Sequence, residues 1–126
     1  MNYEDRVTKE YVEGLLAEMP KLVIGTYTGN GTAASGVYTQ RITLGYQPKA
    51  LLIVGHVSGA SQSLNCDFAN SAALTIPGLI PRTPGNVAAV EITDDGFTVK
   101  SYFFNGSWMP PSLNDNGSTY LYIALK

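Results

Sequence analysis

Hydrophobic and polar positions along the chain follow two successive periods. From Thr8 to Met19 the apolar residues Tyr11, Val12, Leu15, Leu16 and Met19 recur at i, i+1, i+4, i+5 and i+8, the stripe of an amphipathic helix. Thr8 is placed to cap this helix and Pro20 to stop it, while Glu10 sits in the first turn, where the helix dipole favours negative charge. Gly14 weakens the middle by about 1 kcal/mol relative to Ala. A helix of about three turns is marginal alone. Its stripe must therefore cover an open edge or end of its own domain, or pack against copies of itself.

Beyond Pro20 the period becomes that of β-structure. Leu22 to Thr28 predicts a first strand, followed by a Gly29-Asn30-Gly31 turn in which Gly or Asn supplies positive φ at low cost. Tyr38 to Leu44 alternates, with Tyr38, Ile42 and Leu44 on one face and Thr39, Arg41 and Thr43 on the other. Gly45 and Pro48 then make a turn, and Ala50 to Val54 is apolar at every position, so this strand, running to about Val57, must be covered on both faces. Ser58 to Asn86 loses periodicity. It predicts a long excursion with one short strand within Ser71 to Ile76, Pro77 and Pro81 confining anything further to an edge or loop. Alternation returns in Val87 to Thr93, turns at Asp94-Asp95-Gly96 and resumes in Phe97 to Phe104, the strongest hairpin signal in the chain. Asn105 to Gly117 reads as a second loop carrying Trp108. Thr119 to Leu125 is a last strand, with Leu121, Ile123 and Leu125 on one face and Tyr120 and Tyr122 on the other.

These elements predict a mainly β chain: an antiparallel β-sandwich of six to seven strands over residues 21–126, preceded by a short helical leader over 1–20. At 126 residues the chain has the size of one domain and can bury a core without staples. Charged residues make up only 14% and the net charge is −2, which argues against a nucleic-acid surface, since neutralising phosphates needs clustered Lys and Arg. Cys66 is the only cysteine, so no intramolecular disulfide can form. No apolar run is long enough to span a bilayer, and the polar start lacks a signal core, so the chain is expected to be made in a cytoplasm without membrane insertion.

Candidate chemistry is sparse. A Ser-His-Asp or Cys-His nucleophile needs a base, and His56 is the one histidine; nothing in the spacing pairs it with Cys66, so its expected role is structural or ligand-contacting. No metal set or cofactor is expected, because the chain cannot supply several His and Cys ligands. Glu4, Asp5, Glu10, Glu13 and Glu18 fall on or beside the helix as a solvated face. Asn114, Asp115 and Asn116 could supply oxygen ligands to calcium, but an Asx-rich turn accounts for them better. What remains is binding. Trp108, with Tyr102, Phe104, Tyr120 and Tyr122, could form an aromatic platform of the kind that stacks on sugar rings; Trp108 could equally plug an open end of the sandwich. His56 and, on the excursion, Asn65, Asp67 and Asn70 are the polar candidates.

Three segments carry a resemblance. Gly25-Thr26-Tyr27-Thr28-Gly29-Asn30-Gly31-Thr32, then Ile42 to Ile53 through Gly45-Tyr46-Gln47-Pro48, and the closing Ile92 to Val99 and Ser118 to Ala124 together resemble β-sandwich domains of phage and prophage tail-fibre or receptor-binding proteins. The outline is also similar to the H-type lectin domain. The resemblance covers roughly Lys21 to Lys126 and lies in strand and turn positions. It implies a non-enzymatic, virion-associated protein, a homotrimer binding a bacterial surface glycan through the Trp108 loop and the excursion. The alternative it leaves open is a decoration or baseplate protein whose partners are other virion proteins. The helix at Met1 looks like the short leader of small phage-like reading frames, the expectation being a self-standing structural protein. Leu51 and Ile53, on the second face of the apolar strand, and Leu15 and Leu16, on the helix, are the expected contacts between copies.

Overall fold

The computed structural model describes residues 3–18, 21–57, 63–65 and 71–126. It is an antiparallel β-sandwich preceded by one helix, α1 (Tyr3–Glu18). The helix starts about a turn earlier than the stripe predicts, which places Thr8 inside it rather than at its cap.

The first sheet holds β1 (Leu22–Thr28), β3 (Ala50–Val57), β4 (Ser63–Asn65), β5 (Ala72–Thr75) and β11 (Thr119–Leu125). Its order is β1-β11-β3, with β4 and β5 sharing the far side of β3. The second sheet holds β2 (Gly36–Thr43), β8 (Val90–Thr93), β9 (Gly96–Phe104) and β10 (Ser107–Met109), with β2 along one side of β9 and β8 and β10 along the other. A small ladder pairs β6 (Arg82–Thr83) with β7 (Val87–Ala88). The seven strands of four or more residues are the predicted sandwich strands. Of the four short ones, β4, β6 and β10 lie in the two segments without clear periodicity and β7 at the start of the Val87–Thr93 run.

Alternation sets what each sheet turns inward. Tyr27, Tyr120, Ala124, Leu51, Ile53 and Ala73 from the first sheet meet Val90, Ile92, Phe97 and Val99 from the second in one core. Leu51 and Ile53 are 1% and 0% exposed, so they belong to the core and not to a contact between copies. The apolar run Ala50–Val54 has no alternation of its own, so register against β11 decides its facing: Ile53 stands opposite Tyr122 and Leu51 opposite Ala124, both on the inward side. Leu52 faces the other way.

Two glycines admit close approaches. On β1, a Cβ on Gly25 would meet the Tyr122 ring at 2.3 Å; the bare backbone lets that ring lie across the strand and reach Phe97, 5.3 Å between centroids. At the Gly29-Asn30-Gly31 turn none of the residues adopts positive φ, contrary to the sequence expectation. The glycine at 29 is required instead because the backbone carbonyl of Asp115 lies where its Cβ would be.

The Val87–Thr93 alternation is split at Ala89, whose N–H donates to Pro81 O while its carbonyl accepts from Lys100 N, both at 2.8 Å. One run thereby serves two ladders. Likewise Asn105-Gly106, both at positive φ, closes a hairpin between β9 and β10, so Trp108 lies on a strand and not in a loop.

Candidate functional site

The end of the sandwich where residues 110–118 cross between the sheets is held by polar groups. Ser101, inward-facing on β9 and fully buried, donates to Asp115 Oδ1 at 2.7 Å and accepts from the backbone N–H of Asn114 at 2.7 Å. Ser112 also hydrogen-bonds Asp115 and lies 3.0 Å from Ser101 Oγ. Asn114, 0% exposed, donates through Nδ2 to Asn30 Oδ1 (2.8 Å) and Tyr38 O (3.1 Å), and accepts from Asn30 N (3.0 Å). Tyr27 OH donates to Leu113 O at 2.8 Å, and Asp115 N donates to Tyr120 OH at 3.0 Å. Burial raises the Tyr27 hydroxyl well above the ordinary tyrosine range and pushes Tyr120 up to about 12. Both stay neutral at physiological pH. Asn114 and Asp115, considered as oxygen ligands for calcium, are occupied by these internal bonds, so the knot joins β1, β2, β9 and β11 through one loop.

The aromatic residues expected to form one platform are distributed over three environments. Tyr120 is buried and stacks on Tyr27 at 5.0 Å, and Tyr122 packs inward on Phe97. Trp108 stands opposite Phe103 in the β9–β10 ladder, on the inward side, with centroids 4.9 Å apart, and meets Tyr38 at 6.4 Å. It is half-buried and closes the end of the sandwich. Tyr102 stands opposite Met109 and Val37 and therefore faces outward. There it lies 5.8 Å from Phe104 and touches the Gly85 turn. The outward aromatic surface is thus Tyr102 and Phe104 flanked by Val37 and Met109, with Phe104 and Val37 exposed. An Asn-Gly pair between aromatic residues was the signal for the hairpin that separates Trp108 from Tyr102.

His56 and Asn65 come together in the backbone: Asn65 pairs with Gly55, and His56 stands opposite Thr119, where residues 110–118 enter the sheet. Asp67, Asn70 and Cys66 lie outside the described residues. Leu15 and Leu16 are exposed on α1, beside Tyr11 and Val12. An apolar groove of about 420 Å³ runs along β5, lined by Ala72, Ala73, Leu74, Pro81 and Pro111. It lacks the convergent polar groups that orient a small ligand.

The largest feature is the outward side of the first sheet. Leu22, Ile24, Leu52, Leu74, Leu121, Ile123 and Leu125 share it by register. Leu22, Ile24 and Leu74 are 69%, 65% and 60% exposed. Strands β1, β3, β4, β5 and β11 contain no Asp, Glu, Lys or Arg. Comparison of the chain with protein-family models, curated proteins and solved structures finds no match.

Proposed function

We propose that the chain is a non-enzymatic β-sandwich module of the phage or prophage tail-fibre or receptor-binding type, made in a bacterial cytoplasm, carried on a virion as a homotrimer and contacting a bacterial surface glycan. The resemblance through Gly45-Tyr46-Gln47-Pro48 and the closing hairpin supports the class. The observation that carries the binding role is the pair of half-buried Tyr102 and exposed Phe104 on the outward face of the second sheet. Flat aromatic faces stack on sugar rings while a tyrosine hydroxyl reaches a sugar hydroxyl. Arg41, Lys100 and Glu91 on the same sheet supply polar neighbours.

A glycan array tests this. Wild type is expected to bind selectively, Phe104→Ala and Tyr102→Ala to lose binding about tenfold, the loss of one stacking contact of about 1.4 kcal/mol, and Trp108→Ala to bind less only as far as it is less folded. Retention of full binding by both outward variants overturns the site. The second reading is a decoration or baseplate-type protein that assembles with other virion proteins and binds no sugar. The uncharged outward face of the first sheet favours it, and its signature is a wild type that binds no glycan.

A further inference from the structure

We infer that the outward face of the first sheet and the apolar stripe of α1 form one continuous seam that packs against the same seam of a second copy of this chain. Among the described residues, two aliphatic surfaces stand open. Tyr11, Val12, Leu15 and Leu16 on α1 are all exposed, and no described strand packs extensively on the helix. Glu10 and Glu13 occupy its opposite side, and Lys9, at the margin of the stripe beside Leu16, pairs with Glu13 at 3.9 Å. The sheet face is the other, open at Leu22, Ile24 and Leu74 but covered where Val54 and Ala72 share it. Residues 19–21 alone separate the helix from β1, a span of about 10 Å at most, so one axis between copies can serve both surfaces.

Size selects a second copy over the chain's own helix. Four strands at about 4.8 Å spacing and seven residues at about 3.3 Å rise make a face of about 400 Å². One helix about 10 Å wide covers half of that. Neither surface alone reaches the low end of a standard interface, about 600 Å² per partner, whereas stripe and face together come to about 650 Å². The charge pattern agrees: the five strands of the sheet lack charged residues, so no unpaired charge is buried when two such faces meet. The backbones of Lys21, Lys49 and Lys126 lie together at the end of the sheet where α1 joins. The sequence of α1 carries five acids, Glu4, Asp5, Glu10, Glu13 and Glu18, against two bases, Arg6 and Lys9. In a shared seam the acidic helices of neighbouring copies stand over that lysine end.

The seam rests on the self-association in the proposed function but lies on a different sheet from the Tyr102–Phe104 surface, so assembly and glycan binding can each fail without the other. Light scattering on the full chain at tens of micromolar should give at least twice the chain mass. Ile24→Asp and Leu74→Asp should each release monomer with the β circular-dichroism signal retained, while Thr39→Asp on the second sheet should leave the assembly unchanged. With Cys66→Ser throughout, Leu16→Cys should cross-link between copies under mild oxidation and Glu10→Cys, on the far side of the helix, should not. A monomeric wild type overturns the seam. So does an assembly that survives both sheet substitutions, or one whose position 16 cross-links no better than position 10.

Discussion

The two sheets share one core but turn unlike faces outward. On the second sheet, Thr39, Arg41 and Thr43 on β2 stand opposite Lys100, Thr98 and Gly96 on β9, and Arg41 forms a 2.7 Å ion pair with Asp95 at the β8–β9 turn. That hydrogen bond holds the Asp95 carboxyl below its ordinary range. Such a face is at home in water. The first sheet presents Leu22, Ile24, Leu74 and their neighbours in the same alternating positions, without a charged residue on any strand. Both sheets contribute apolar side chains to the shared core, the second also turning Ser101 inward, so core formation does not explain the difference. An aliphatic face of this extent is the mark of a surface made to be covered.

The comparison can be broken at its sharpest point, within β3. Ile53→Asp, placing an unpaired carboxylate in the core, should cost more than about 4 kcal/mol and abolish the folded signal. Leu52→Asp, one residue away and facing outward, should leave a folded chain that no longer associates. Thermal melts with light scattering distinguish the two, and a folded Ile53→Asp would mean that the facing of β3 is reversed.

Loss of the buried polar knot should have the next largest effect. Ser101→Ala leaves Asp115 and the Asn114 N–H short of a partner, and about 1–3 kcal/mol should be lost in denaturant titrations. Gly25→Ala, which drives a methyl into the Tyr122 ring, should cost about 1–3 kcal/mol by overpacking. An unchanged midpoint in Gly25→Ala would show that Tyr122 does not cross β1 as described.

Alkaline pH probes the same end of the sandwich. The Tyr27 and Tyr120 hydroxyls titrate higher in the folded chain than in the unfolded one, because burial disfavours the phenolate. Above about pH 10 the unfolded chain releases protons that the folded chain retains. The stabilising contribution is therefore complete below that pH and declines as pH rises towards about 12 for Tyr120. Tyr120→Phe should show a weaker alkaline decline in melting temperature than wild type.

The smallest effect belongs to the polar face. Thr39→Lys, exposed on the second sheet, should shift stability by no more than about 0.5 kcal/mol and leave association intact. Ile24→Lys, a comparable change on the first sheet, should disperse the assembly. Equal behaviour of the two variants would erase the distinction between the faces.

Much of the fold is legible from residue order. Leu22–Thr28, Ala50–Val57 and Thr119–Leu125 are strands at the limits their patterns set, and the Asp94-Asp95 turn joins the predicted hairpin. The excursion was less legible because β4 and β6 have three and two residues, too few to show a period. The candidate site was legible only in part. Tyr102 does face outward, but Trp108 was separated from it by a hairpin whose facing depends on pairing with Phe103. The roles of Ser101, Ser112 and Asn114 carry no local signal, since their partners lie on strands distant in sequence.

The sequence by itself determined which residues alternate and where the longer strands begin and end. These follow from local steric preference and side-chain periodicity. Only the tertiary structure decided which of Leu51, Leu52, Ile53 and Val54 the core receives. A run without alternation has no face of its own until a neighbouring strand fixes its register, and β11 does so by setting Tyr122 opposite Ile53.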